Sequence, residues 1–401
     1  MPTYEDIRAY FDDSGRFKEV VSAAAANPIV TGFTLDVNPF WSLLYDLENG
    51  LIDSRPWNWD AFWENVRLWR SGWWRSVGSG PFFPFPMSRN VGFQGFRRRN
   101  LSAKVAVWEE AMAGLGIGGP ISPLILTVVH RPLRSHEGEK NDSPDDQTQL
   151  QRLIRGLSER GADIRFEERP VARFAAATAI ASQGNSTGTI GGILRDKSGN
   201  CFGITCDHVA TKGDIVSDPA GMQIGKCIAS TKRVLLTKPN ACDPAVLRAP
   251  HPFPGNGPDL NVLDCSIIAL QKGITASKMA GLAILSSGQD VVLDGAKTNQ
   301  TRHKLGSLAI GYTFRDGASD FCFRDSIELL PQPRGPFGGT LGSWLTTMPT
   351  QGDSGGWVLT NDQPPRWAGM FYGEDGFRGF LIRAKWVFDW AENEVGPGLT
   401  F

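Results

Sequence analysis

The run Thr350-Gln351-Gly352-Asp353-Ser354-Gly355-Gly356 constrains this chain more than any other stretch. By average residue frequencies, a chance Gly-Asp-Ser-Gly-Gly in a chain of 401 residues is on the order of one in a thousand or rarer. A serine hydroxyl is a poor nucleophile until a base takes its proton and backbone donors hold the oxyanion that forms. Glycines around Ser354 let the backbone turn sharply, so that the amide groups of Gly352 and Ser354 face one point. Asp353 is then expected to turn inward and brace the loop. Such a loop works only with a histidine and a carboxylate supplied from elsewhere in the chain.

Both are found upstream. From Thr189 onward the pattern is short strands separated by glycine turns, which predicts an all-β barrel or sandwich. Thr189 to Asp196, the turn Lys197-Ser198-Gly199-Asn200 and Cys201 to Thr205 read as a hairpin, with Ile190-Gly191-Gly192 inside its first strand. His208 follows in Cys206-Asp207-His208-Val209-Ala210, where a strand leaves the barrel and a base can face a cleft. Asp264 is a single acid opening the apolar run Cys265 to Leu270, so its buried carboxylate needs a hydrogen-bond donor, which His208 would provide. Asp243 is the alternative acid, since it too opens an apolar run, although Pro244 argues against a central strand there.

These residues resemble the chymotrypsin-like (trypsin-like) serine proteases, whose chain order is His, Asp, Ser. The resemblance covers about residues 187 to 401. It implies two six-stranded β-barrels packed face to face, with the triad His208, Asp264 and Ser354 at the cleft between them. It also implies roles for later segments. Trp357-Val358-Leu359 looks like the strand leaving the nucleophile loop, and Gly369 to Gly373 like the strand that lines the specificity pocket and pairs with substrate. Gly379 to Arg383 looks like the pocket's far wall, and Lys385 to Glu394 like the C-terminal helix. The implied pocket residues are Met348, Phe371, Tyr372, Gly373 and Gly379. Met348 at the implied floor favours apolar or small substrate side chains, unless Glu374 or Asp375 points inward. The chain departs from secreted relatives in having no cysteine directly after His208 to brace that loop, and no Arg or Lys before an Ile-Val-Gly-Gly start. Activation by a fresh N-terminus inserted beside Asp353 is therefore not expected. Gly-x-Ser-x-Gly esterases, with the histidine last in the chain, are a poorer match.

The first half reads differently. Residues 1 to about 30 have helical spacing (Ile7, Phe11, Phe17, Val20, Val21, Ala24) ended by Pro28. Trp59, Phe62, Trp63, Val66, Trp69 and Trp73 form the bulky face of an amphipathic helix after Asn58, either a core helix or a docking surface. Pro81 to Pro86 is an aromatic loop, Arg97-Arg98-Arg99 a solvated turn, and a further helix spans about Ala103 to Met112. Gly118-Gly119-Pro120 marks a boundary. Pro123 to His130 is a strand ending on a structural histidine, a helix starts near Pro144, and Ile164-Arg165-Phe166 begins a second strand. The expected architecture is multidomain α+β. Its parts are a Trp-rich mainly helical domain over 1–118, a strand-helix-strand module over 119–174 and a serine protease domain with a double β-barrel over 175–401.

Composition narrows the function further. A net charge of −1 gives no global field for nucleic acid or an anionic membrane, and no apolar run reaches transmembrane length. The polar, acidic N-terminus and six scattered cysteines read as a cytosolic protein with free buried thiols, unless a leader has been removed. Cys201, Cys206 and His208 do not read as a metal site, because two of them sit in strand positions, and no organic cofactor is implied. The expectation is an intracellular serine endopeptidase acting on protein or peptide substrates. Its N-terminal half would restrain it or bind a protein activator. The rival is a latent or inactive protease-fold scaffold whose N-terminal domain binds a partner.

Overall fold

The computed structural model describes residues 3–37, 124–132, 148, 151–152, 164–174, 180–182, 187–236, 242, 247, 256, 260–271, 278–331, 348–350 and 352–401. The Trp-rich helix, the Pro81–Pro86 loop, the arginine triplet, the Ala103–Met112 helix and Asp243 all lie outside these residues.

The N-terminal segment is two helices, α1 (Tyr4–Asp13) and α2 (Gly15–Ala25), rather than one run. Thr3 and Asp6 close a capping box at the start of α1, and the Thr3 amide and hydroxyl, both donating to the Asp6 carboxylate, hold it below its ordinary range. Ser14 breaks the run because it is extended (φ −79°, ψ 99°) and its hydroxyl accepts from Phe17 N, capping α2. Strand β1 (Val30–Val37) follows. Further on come β2 (Leu124–His130), β3 (Ile164–Glu168) and β4 (Ala172–Phe174).

The His208 half, expected as a six-stranded barrel, is instead a seven-stranded sheet whose end strands do not pair with each other among the described residues. Its strands are β5 (Ile180–Ser182), β6 (Thr187–Gly188), β7 (Gly192–Arg195), β8 (Cys201–Thr205), β9 (Ile215–Ser217), β10 (Gln223–Ser230) and β11 (Ser266–Leu270). They are ordered β6-β5-β9-β10-β11-β8-β7. The β7–β8 hairpin pairs Arg195 with Cys201, and its first strand begins at Gly192, so Ile190 and Gly191 precede the strand.

The Ser354 half comprises β12 (Asp290–Gly295), β13 (Asn299–Asp316), β14 (Ser319–Phe323), β15 (Ser326–Pro331), β16 (Trp357–Thr360), β17 (Trp367–Glu374) and β18 (Gly379–Arg383), then helix α3 (Ala384–Val395). The path β12-β16-β17-β18-β15-β13 closes through the β12–β13 pairing, so this half is a six-stranded barrel. The sheet then runs on through β1, β2 and β3, with β1 antiparallel to β13 and β2 parallel to β3.

That continuation corrects the expectation of a separate mainly helical N-terminal domain. Among the described residues there are three helices of more than one turn, and α1 and α2 lie on the second barrel. Tyr4, Ile7, Phe11, Phe17, Val20 and Val21 are buried in one core with Leu305, Leu308, Ile327, Leu329 and Leu381 of the barrel. Each buried Phe or Leu side chain is worth about 1.5–3 kcal/mol, which is why the helices hold to the barrel. Tyr4 Oη also donates to the Gly306 carbonyl at 2.5 Å, and burial raises the phenol well above its ordinary range. A second core joins the two halves across their seam, running from Leu194, Ile204 and Ile267 to Tyr312, Phe314, Phe323, Trp357 and Tyr372.

The cysteines need a second correction. Cys242 and Cys322 form a disulfide across 80 residues, tying the stretch before Asp264 to β14, while Cys201, Cys206, Cys227 and Cys265 are free and buried. No local spacing announced this pairing, because its partners meet only once both halves have folded. No helix among the described residues is long and apolar enough to cross a membrane.

Candidate active site

The nucleophile loop is held between the two halves. The Thr189 amide donates to the Ser354 carbonyl at 2.7 Å, and its hydroxyl to the Gly352 carbonyl at 2.7 Å. From the other side, Gly355 N donates to the Phe371 carbonyl of β17 at 2.8 Å. Gly352 (φ 108°) and Gly355 (φ 90°) both lie in the left-handed region. A Cβ on Gly355 would stand 2.1 Å from the Thr189 carbonyl oxygen and 2.5 Å from Thr205 Oγ1, so only glycine fits where the loop meets β8.

Asp353 is buried and turned inward. Its Oδ1 accepts from Lys297 N and Thr298 N at 3.0 Å each, and its Oδ2 from Thr298 Oγ1 and Thr350 N at 2.9 Å. Four donors already satisfy this carboxylate, which leaves it no need of an inserted N-terminal ammonium. Within the loop, the amides of Asp353, Gly355 and Gly356 are spent on carbonyls of Thr350, Phe371 and Asp353. Those of Gly352 and Ser354 have no acceptor among the described residues.

His208 stands on the tight turn that leaves β8, where Val209 N and Ala210 N both donate to the Cys206 carbonyl. Asp264 lies two residues before β11, not in the strand itself, and the β8–β11 register of Thr205 opposite Ser266 brings it beside His208. The two meet twice. Asp264 Oδ1 accepts from His208 N at 3.1 Å, and Oδ2 lies 2.5 Å from Nδ1. Burial alone would raise the Asp264 carboxyl, but the His208 charge and hydrogen bond, helped by Arg233, hold it below its ordinary value. His208 Nε2 is buried and has no hydrogen-bond partner among the described residues.

Ser354 is fully buried, and its Oγ donates to the Tyr372 carbonyl at 3.3 Å rather than to His208. The structure therefore joins His208 to Asp264 directly and brings the Ser354 loop against β8, with the hydroxyl turned toward β17.

Of the residues that the resemblance assigns to a pocket, Met348 is half-buried, and Phe371 and Tyr372 are fully enclosed. Phe371 packs in the second barrel's core, where its ring meets Gly379, while Tyr372 faces the seam and its hydroxyl lies 2.6 Å from Ser326 Oγ. Gly373 lies against β4. Glu374 accepts from Gly376 N, and Asp375 Oδ1 accepts from Phe377 N and Arg378 N, so both carboxylates close their own loop; burial raises both.

Two residues, Arg233 and Phe174, and the role of Cys206 escaped the sequence reading. Cys206 donates to the Phe371 carbonyl at 3.4 Å, joining the halves beneath the site, and burial pushes its thiol well up. Arg233 lies 3.5 Å from Asp207 and 3.2 Å from Asp316, and stacks on Phe174 at 4.6 Å. Phe174 covers the His208 ring at 4.9 Å between centroids. None of these has a local motif. Cys206, His208 and Asp264 do bring one donor atom each within 4.8 Å of one another, but Nδ1 and Oδ2 are already engaged with each other.

No family model matches this sequence, and a comparison with the curated proteins finds no match. Among solved structures, Thermobifida fusca protease A is 13% identical and overlaps 54% of this chain and 94% of its own, with a TM-score of 0.34. Cellulomonas bogoriensis chymotrypsin is 14% identical over 54% of this chain and 94% of its own, with a TM-score of 0.32. Nocardiopsis protease is also 14% identical, over 54% and 95%, with a TM-score of 0.32. These neighbours over about half the chain are serine proteases of the chymotrypsin kind. At such values the likeness decides nothing about activity, which rests on how this chain's own side chains are arranged.

Proposed function

We propose that the chain is a serine endopeptidase that hydrolyses peptide bonds. The observation that carries this reading is the buried His208–Asp264 pair with Nε2 left unspent, on the segment that abuts the Gly-Asp-Ser-Gly-Gly loop. Ser354 Oγ swings from the Tyr372 carbonyl, attacks the substrate carbonyl carbon and gives its proton to Nε2. Asp264 holds the ring by Nδ1–H and stabilises the imidazolium. The unengaged amides of Gly352 and Ser354 receive the oxyanion. As the C–N bond breaks, Nε2 returns the proton to the leaving amine. Water, deprotonated by the same nitrogen, then releases the acyl group from Ser354.

Substrates are proteins or peptides, with apolar or small side chains favoured beside Met348. The residues need neither metal nor organic cofactor for this chemistry. The intracellular placement loses one support, because the Cys242–Cys322 disulfide fits an oxidising compartment better than a reducing one. The N-terminal half, residues 1–174, regulates the protease while α1, α2 and β1 to β3 within it are built onto the second barrel. The latent-scaffold reading retains one specific observation, the cover of Phe174 over His208. Cleavage of casein and a peptide library by the chain and by Ser354→Ala tests the proposal. Cleavage that survives the substitution removes it.

A further inference from the structure

Strand β4 touches two strands of the second barrel at once. It runs parallel to β13, with Ala172 opposite Phe314, and antiparallel to β17, with Phe174 opposite Gly373 and Arg173 opposite Glu374. β17 is the strand whose Phe371 and Tyr372 carbonyls receive Gly355 N–H and the Ser354 hydroxyl. An extended segment lying antiparallel on its next two residues has the geometry of a peptide bound by strand addition. A Cβ on Gly373 would stand 2.7 Å from the Arg173 carbonyl oxygen, so glycine there is what admits a second backbone.

The side chain of Phe174 fills a box beside the imidazole. Phe321 and Phe323 meet its ring edge-on at 5.4 and 5.7 Å, and Phe314 lies tilted at 5.6 Å. Arg233 stacks over the ring. T-shaped partners and a guanidinium select a flat π-face, which an aliphatic or acidic side chain does not offer. Phe174 is 7% exposed and His208 8%, so both rings are buried where they meet. Five residues upstream, Arg169 anchors the segment by ion pairs to Glu167 and Glu328.

Resting on the protease reading above, we propose that Ala172–Phe174 occupies in cis the place of a substrate strand. The box around Phe174 is then a subsite for the aromatic side chain of a peptide, which must displace β4 before it is cut. Being tethered, the occupant competes at a high effective concentration, so free peptides are turned over slowly until it leaves.

The test uses the full chain, its Phe174→Leu and Phe174→Ala variants and Phe174→Ala/Ser354→Ala. The substrates are fluorogenic peptides that differ only in having Phe, Leu, Ala or Asp at one of the four positions before the cut. Phe174→Ala should raise kcat/KM at least tenfold and Phe174→Leu less, with Phe peptides preferred by at least tenfold at one position and all cleavage lost with Ser354. Equal rates in wild type and Phe174→Ala, or no aromatic preference at any position, overturn the proposal and leave the protease reading standing. No cleavage by any variant, with unfolding midpoints unchanged, overturns both. Where Phe174→Ala does not fold, a peptidyl phosphonate bearing Phe is applied to the wild-type chain and amide exchange is followed. Adduct formation on Ser354 should speed exchange at Arg173 and Phe174 at least tenfold. Unchanged exchange after labelling overturns the proposal, and prolonged failure to label Ser354 overturns both readings.

Discussion

Asp264 and Glu328 are both fully buried carboxylates, one at the seam between the halves and one on β15 of the second barrel, and their surroundings differ in kind. Glu328 belongs to a closed ring in which Arg169 and Arg378 each bridge both Glu167 and Glu328. Its own burial would raise it, but the two guanidinium groups hold it below its ordinary range. Such a ring fixes β3 to the barrel and to the β17–β18 loop. Asp264 is also held low, but its principal partner is an imidazole whose far nitrogen has no hydrogen-bond partner among the described residues. The first region spends its charges on architecture, whereas the second leaves the far imidazole nitrogen unengaged by the described residues, as the proposed base requires.

Substitutions should separate these two roles. Asp264→Asn keeps the shape but presents the wrong hydrogen-bonding face to Nδ1, so kcat should fall by about ten-thousand-fold with the unfolding midpoint little changed. Steady-state hydrolysis and thermal unfolding of the same sample check this. Cys322→Ser opens an 80-residue loop and should cost roughly 4.5 kcal/mol of stability by chain entropy, read from denaturant unfolding. Glu328→Ala leaves two buried guanidinium groups facing each other and should cost about 3–5 kcal/mol. If it lowers activity as strongly as Asp264→Asn while stability holds, the division of roles is wrong.

The smallest effect is that of pH. Asp264 and Glu328 titrate below their ordinary values of 3.8 and 4.5, so each contributes stability that is complete above those values. That stability is lost as pH falls through the lower folded values. The unfolding midpoint should therefore drop on acidification below about pH 4.5, and the acid limb should be shallower in Glu328→Gln.

What could be read from the sequence depends on the range over which each signal acts. The nucleophile loop is a contiguous motif and the β7–β8 hairpin is marked by its glycine turn, whereas β16 to β18 and α3 are expected only through the resemblance that the loop carries, since β17 and β18 are buried along nearly their whole length. Asp264 was legible as one acid among apolar residues. By contrast, β1 is buried along most of its length and mixes Thr and Gly with apolar residues, so no alternation marked it. Its partner β13 lies far along the chain, as does Glu328 from Arg169, 159 residues away. The ion ring, the disulfide and the Phe174 cover are all made by such distant pairings, which leave no trace in local spacing.

The central claim is that Ser354 reacts through His208. The most direct measurement is mass spectrometry of the chain after exposure to a fluorophosphonate, alongside His208→Ala and Ser354→Ala. The account predicts one adduct, on the peptide containing Ser354, lost in both variants while their unfolding midpoints stay near that of the wild type. An adduct on another residue, or undiminished labelling of Ser354 in His208→Ala, would contradict it.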